Sequence, residues 1–262
     1  MTSEVLVATD SRGVATVTLN RPKLRNAFNE ALIEALCASF ERLGGDPRVR
    51  VVVLAGAGKV FCAGGDLNLM RRQGTLSEAE NREDGYRLAA MLRTLDLLPK
   101  PVIGRVHGAA FAGGMGLVSC CDVAIAEKDA TFSLSEVRIG LAPATISPYV
   151  AAAIGARAMR RYAISGERFK APEAHRLGLV HEVVSAAELD DAVERLAGEL
   201  LEGGPEAQAE SKRLIRAVAG RPIDEALMRE TAASIARRRA SAEGKEGIQA
   251  FFDKRKPRWA GS

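Results

Sequence analysis

Val102-Ile103-Gly104-Arg105-Val106-His107-Gly108-Ala109-Ala110-Phe111-Ala112-Gly113-Gly114-Met115-Gly116-Leu117 is the stretch that decides the fold class. Pro99 and Pro101 stand before it and break any preceding helix. Val102 to Val106 is then a short apolar run of the kind found in a buried strand. A glycine-rich turn ends the run, and an apolar helix follows to about Cys120. Strand, glycine turn and helix in that order form the repeating unit of an α/β fold.

The rhythm continues in both directions. Upstream, Val14 to Leu19 alternates as a half-buried strand does and stops at Asn20-Arg21-Pro22. Asn29 is placed to cap a helix running to about Leu43, because Leu32, Leu36, Phe40 and Leu43 share one face. Val51 to Leu54 is a short buried strand closed by Gly56-Ala57-Gly58, and Tyr86 to Leu98 reads as helix. Downstream, Val123 to Ala126 is the next strand and Val180 to Val184 the last. Beyond Ala187 the period is helical, with helices expected over 187–201, 205–218 and 223–241 and a short one to about Asp253. The chain therefore divides into a core over 1–195 and a helical C-terminal region over 196–262. Spacing alone leaves open a doubly wound sheet or a spiral of ββα units.

Composition narrows the class. The 262 residues, 47% hydrophobic and 27% charged, suit one main core. A formal charge of +4 and a pI near 9.0 favour anionic partners without choosing among them. No apolar run reaches membrane-spanning length, and Met1 to Asp10 lacks the basic start and apolar stretch of a signal peptide. Cys37, Cys62, Cys120 and Cys121 show neither zinc nor redox spacing, so buried free thiols and a reducing, cytoplasmic setting are expected, with no metal site. Aromatic residues, at 5%, are too scarce for a nucleic-acid stacking surface, although basic helices and Trp259 keep an RNA-binding alternative in view.

Three segments carry chemistry. Gly58-Lys59-Val60-Phe61-Cys62-Ala63-Gly64-Gly65-Asp66-Leu67 follows a strand, and its small residues let a ligand oxygen approach backbone N–H groups. By itself it is as well explained by an ordinary left-handed turn, and it lacks the spacing of a phosphate loop. His107 to Leu117 places glycines at a helix N-terminus, where free N–H groups and the helix dipole favour a developing oxyanion. Close strand–helix packing is the structural alternative. Phe132-Ser133-Leu134-Ser135-Glu136-Val137-Arg138-Ile139-Gly140-Leu141-Ala142-Pro143 holds one acid among apolar neighbours. Burial would raise the pKa of Glu136 into the range useful for proton transfer, whereas a surface pair with Arg138 would lower it.

In this order the three segments, with Asn20-Arg21-Pro22-Lys23 and Asn26-Ala27-Phe28-Asn29 before them, resemble the crotonase (enoyl-CoA hydratase/isomerase) superfamily over nearly the whole chain. Leu134 to Pro148 and Ser119-Cys120-Cys121-Asp122 look most like bacterial methylglutaconyl-CoA and isohexenylglutaconyl-CoA hydratases. The resemblance implies a spiral of ββα turns with a helical C-terminal trimerisation region, as a homotrimer or a hexamer of paired trimers. It implies that the N–H groups of Gly65 and Gly113 polarise a thioester oxygen and that Glu136 transfers protons. Coenzyme A would arrive as part of the substrate, with no permanently bound cofactor, and would be contacted by Lys23, Arg25, Ala63, Asp66, Leu67 and, from a neighbouring subunit, Lys254. Asp66 serves equally to order its turn.

One departure matters. Two-glutamate hydratases of the family carry their second glutamate where this chain has Gly116. The expected reaction is hydration of a branched 2-enoyl-CoA, with a glycine at 116 making room for the branch. A Δ3–Δ2 isomerase using Glu136 alone is the enzymatic alternative, and a non-catalytic acyl-CoA-binding protein is the other. His107 is expected to make a structural hydrogen bond at a strand end, and His175 and His181 to reach solvent.

Overall fold

The computed structural model describes residues 3–260. It opens with a hairpin only half visible in the sequence pattern: Val5–Thr9 (β1) runs antiparallel to Val14–Leu19 (β2), pairing Val5 with Leu19 and Thr9 with Ala15. β1 buries only Val5, so its outward residues give no alternation to read. Asn29 caps Glu30–Gly45 (α1) by accepting from the Leu32 N–H at 2.8 Å. The helix sinks Leu32, Ile33, Leu36, Phe40 and Leu43 into the core at about 1.5–3 kcal/mol for each large side chain. Val51–Gly56 (β3) follows, then Leu67–Gln73 (α2) and Glu78–Asp96 (α3). α3 starts well before Tyr86 because Ser77 and Glu80 form a reciprocal capping box. The helical period is hidden there because the buried residues, Met91, Leu92 and Leu95, all lie in its second half.

The next elements make the spiral. Val102–Val106 (β4), Ala109–Phe111 (β5) and Gly113–Cys120 (α4) form one turn. Val123–Glu127 (β6), Thr131–Ser133 (β7) and the helix Ser147–Ser165 (α5) form the next. Each turn gives its first strand to a large sheet and its second to a small one. Arg168–Lys170 (β8), Ala171–Leu177 (α6) and Glu182–Val184 (β9) complete both sheets. The large sheet has the order β1-β2-β3-β4-β6-β9, parallel except for β1; the small one is β5-β7-β8. Single bridges from Phe28 to Gly65 and from Cys62 to Ala110 extend the small sheet's pattern back into the earlier turns. The open choice between a doubly wound sheet and a spiral is thereby resolved as the spiral of ββα units.

Leu189–Leu201 (α7) covers the outer face of the large sheet, packing Leu189, Ala192, Val193 and Ala197 on Val14, Val51, Val53, Ile103 and Ile125. Pro205–Val218 (α8), Glu225–Ala240 (α9) and Ala242–Phe252 (α10) follow within a few residues of the expected bounds. Lys212 ties α8 to the core through Asp122 at 2.6 Å and the Lys100 carbonyl at 2.8 Å. Arg50 donates to the carbonyls of Leu201, Gly203 and Trp259, fixing the tail against the sheet end. Cys62, Cys120 and Cys121 are buried free thiols, while Cys37 is half-buried. Among the described residues no helix is long and apolar enough to cross a membrane.

Candidate active site

The first glycine segment is held by polar stitching. Asn26 is fully buried with its backbone in the left-handed region, φ 55°. Its Nδ2 donates to the carbonyls of Ala57, Val60 and Phe61 at 2.8, 2.9 and 3.1 Å, and its Oδ1 accepts from the Arg21 N–H at 2.9 Å. Phe28 N–H donates to Gly64 O at 2.7 Å and Asp66 N–H to Phe28 O at 2.8 Å. The residue between those bonds, Gly65, has an N–H with no protein acceptor among the described residues. Asp66 caps α2 through the Asn68 N–H at 2.8 Å and pairs with Arg21 at 2.9 Å. Burial alone would raise this carboxyl; the Asn68 N–H and the Arg21 guanidinium outweigh it and hold Asp66 below the usual carboxylate range.

The second segment is held by backbone geometry and packing. Ala112 stands at φ 48°, ψ −118°, a conformation an L-residue keeps only when its surroundings fix it. Its N–H is anchored on Ser133 O at 2.9 Å, and α4 begins at the next residue. The first N–H groups of a helix have no intrahelical acceptor, so Gly113 presents a free donor at the positive end of α4. A β-carbon on Gly113 would stand 2.4 Å from Cε2 of the Phe28 ring, which is why only glycine fits. Phe111 pairs with Ser133 across the small sheet, and three residues on, Glu136 opens a 3₁₀ turn, Glu136–Ile139.

Glu136 is half-buried, and its Oε2 is buried without a hydrogen-bond partner among the described residues. Burial pushes its pKa up, against a weaker opposing pull from its own backbone N–H. The surface pair with Arg138 does not form: Arg138 Nε donates instead to Gly166 O at 3.0 Å. A carboxylate without a partner in a partly desolvated site is chemically suited to accept or pass a proton.

These groups meet on one cavity of about 450 Å³, lined by Ala63, Gly65, Leu67, Gly113 and Glu136 among the residues expected from the sequence. Asp66 is absent from the wall, with both carboxylate oxygens occupied as described. Lys23, Arg25 and Lys254 are exposed and lie off the wall, on short turns; Arg25 and Lys254 have φ of 52° and 53°. The expectation that Gly116 makes room for a branched chain is corrected. A β-carbon at 116 would lie 2.4 Å from Ile146 Cγ2, so the space beside Gly116 is filled by Ile146, and Ile146 is the wall. The segment from Met70 to Asp84, which the resemblance marks as a source of pocket-lining residues, contributes Met70, Gln73 and Asp84 to the wall, whereas Phe28 and Arg87 were not singled out as lining residues. For Phe28 the position just before the Asn29 cap was a usable signal; Arg87 sits on α3, whose register was not assigned. His107 makes the structural bond expected, Nε2 to Gly58 O at 3.0 Å, and His175 and His181 are exposed.

Comparison with known proteins identifies the family. The family model described as "Enoyl-CoA hydratase/isomerase" matches residues 9–262. A short-chain-enoyl-CoA hydratase of Clostridium acetobutylicum is 34% identical over 93% of this chain and 92% of its own. A crotonyl-CoA hydratase of Syntrophomonas wolfei is 32% identical over 98% of each chain. The crystal structure of an enoyl-CoA hydratase from Shewanella pealeana superposes with a TM-score of 0.95 at 40% identity, covering 98% of this chain and 96% of that one. The chain belongs to the enoyl-CoA hydratase/isomerase family, has the crotonase fold, and is an enzyme of the hydro-lyase class.

Proposed function

We propose that the protein hydrates a short, branched 2-enoyl-CoA, methylglutaconyl-CoA-like, using the Gly65 and Gly113 N–H groups as an oxyanion hole and Glu136 as acid and base. The observation that carries this reading is the buried, unpartnered Oε2 of Glu136 on the same cavity wall as those two free donors. Coenzyme A enters only as part of the substrate. Water attacks Cβ while Glu136 takes one of its protons, and the π electrons move through Cα onto the thioester oxygen, where the two N–H groups meet the new charge. Glu136 then returns the proton to Cα, and the carbonyl re-forms. Each donor contributes about a hundredfold to a thousandfold in rate and the acid–base group about 10²–10⁴-fold.

Support for a branched acyl group comes from the small lining residues Ala142, Pro143 and Ala144, and for a terminal carboxylate from Arg87, whose ion-pair partner Asp84 stands 3.4 Å away. A Δ3–Δ2 isomerase is the second reading, favoured by the apolar Ile146 where a second acid would otherwise stand. A trimer is proposed from the exposed Ile248, Phe251 and Phe252 on α10, and sedimentation measures it.

The test follows loss of the enoyl-thioester absorbance with 3-methylglutaconyl-CoA and crotonyl-CoA, for wild type and Glu136→Gln. Faster hydration of the branched substrate is expected, with kcat lowered about 10²–10⁴-fold by the substitution and KM nearly unchanged. The acid limb of the wild-type pH profile should fall above the ordinary carboxylate range, since Glu136 must be ionised to accept the water's proton. Equal rates for wild type and Glu136→Gln would defeat the mechanism.

A further inference from the structure

Resting on the hydratase reading, we propose that the Thr145 hydroxyl is the second holder of the attacking water, doing with a neutral group what a second carboxylate would otherwise do. A water molecule aimed at Cβ needs two fixed contacts, because one hydrogen bond leaves it free to rotate about that bond. Glu136 supplies one. Position 116 cannot supply the other: it carries no side chain, and the methyl group of Ile146 already occupies the first atom's worth of space beside it. Ile146 is itself 2% exposed and apolar, so the wall over Gly116 offers water nothing.

Two hydroxyl-bearing residues line the cavity, Ser135 and Thr145. Both are half-buried, and neither hydroxyl engages a protein partner among the described residues. They differ in placement. Ser135 precedes Glu136 directly, at the N-cap of its 3₁₀ turn, so it stands on the side the carboxylate already serves. Thr145 precedes Ile146 and comes from the loop that packs over Gly116 and leads into α5. It is therefore the hydroxyl on the side where the second contact is missing. In the attack the water donates one proton to Glu136 and directs its other O–H to Thr145 Oγ1. That second O–H bond survives as the hydroxyl of the product, so Thr145 ends the step unchanged and no proton is left over.

The experiment compares Thr145→Val, Thr145→Ser and Ser135→Ala with wild type in two assays on folded protein. One is hydration of crotonyl-CoA; the other is exchange of the α-proton of butyryl-CoA with D₂O, which uses Glu136 and the oxyanion hole but no attacking water. Thr145→Val should lower kcat for hydration about 10–100-fold, the worth of one transition-state hydrogen bond, with KM and α-proton exchange within about threefold of wild type. Thr145→Ser should recover most of the rate. Full hydration by Thr145→Val, a parallel loss of exchange, or the same selective defect in Ser135→Ala would overturn the assignment. Wild type that exchanges α-protons but hydrates nothing would overturn the hydratase reading itself, a result separable from full hydration by Thr145→Val.

Discussion

The two glycine segments deliver the same kind of group, a free backbone N–H, to the same cavity, yet they are held there by different forces. The segment around Gly65 hangs on hydrogen bonds: four to the Asn26 side chain, two between Phe28 and its neighbours, and the Asp66–Arg21 pair. The segment around Gly113 is wedged. Ala112 holds an unfavourable backbone conformation, the Phe28 ring lies against Gly113, and Ile146 lies against Gly116. A polar stitch fails when a partner is removed; a wedge fails when an atom is added. The contrast yields substitutions of opposite kinds.

The largest effect is expected from cutting the stitch. Asn26→Ala would leave three carbonyls, one buried and two part-buried, without their donor and one part-buried N–H without its acceptor, and at about 1–3 kcal/mol for an unsatisfied buried group, relieved by water at the part-buried ones, the loss should be about 3–4 kcal/mol. Urea unfolding measures it, and a midpoint close to wild type would show that the stitch is redundant. Next comes adding an atom to the wedge. Gly113→Ala brings a methyl within 2.4 Å of a ring that is 3% exposed. About 2–3 kcal/mol of overpacking is expected, together with about a hundredfold or greater loss of kcat as the donor shifts. Phe28→Leu in the same chain should recover stability before it recovers activity, because space returns more readily than alignment.

Gly116→Ala tests the second contact of the wedge, where the added β-carbon would meet Ile146 Cγ2 at 2.4 Å and Cβ at 3.0 Å, and a cost of about 1–2 kcal/mol of overpacking is expected. Ile146→Leu, which removes the β-branch methyl Cγ2, should return part of that cost in the Gly116→Ala background, giving a coupling of about 0.5–1.5 kcal/mol in a double-mutant cycle. Strict additivity would mean that the two residues do not share the space the geometry assigns them.

What could be read beforehand follows the same division. Asn29 and the Leu32–Leu43 face announced α1, and the apolar runs at Val51 and Val102 announced β3 and β4, because those signals lie within a few consecutive residues. Glu136 could be singled out as one acid among apolar neighbours, but its burial without Arg138 depends on Gly166, which lies 28 residues beyond Arg138 in the chain and takes its guanidinium. β7 and β8 are three residues each, too short for a period, and Gly155, at φ 75° inside α5, interrupts a helix that also begins at Ser147-Pro148. The meaning of Gly116 was least accessible of all. A missing side chain reads as space, and only the fold reveals that Ile146, from another element, has taken it.

Gly65→Ala gives the smallest expected effect and the sharpest limit on the contrast. Gly65 is not in the left-handed region, so alanine is compatible with its backbone. The added β-carbon would meet only Cγ and Sδ of Met70 at 3.4 Å, an ordinary contact with an adaptable side chain. Reduced freedom of the unfolded chain favours alanine by up to about 0.4–1 kcal/mol, so the net change should lie within about 0.5 kcal/mol of zero. The substitution leaves every hydrogen bond of the stitch in place, which is why an atom added here should be tolerated when the same atom at Gly113 is not. A loss as large as that of Gly113→Ala would show that Met70 is locked and that both donors are wedged; the division between the two segments would then be one of appearance only.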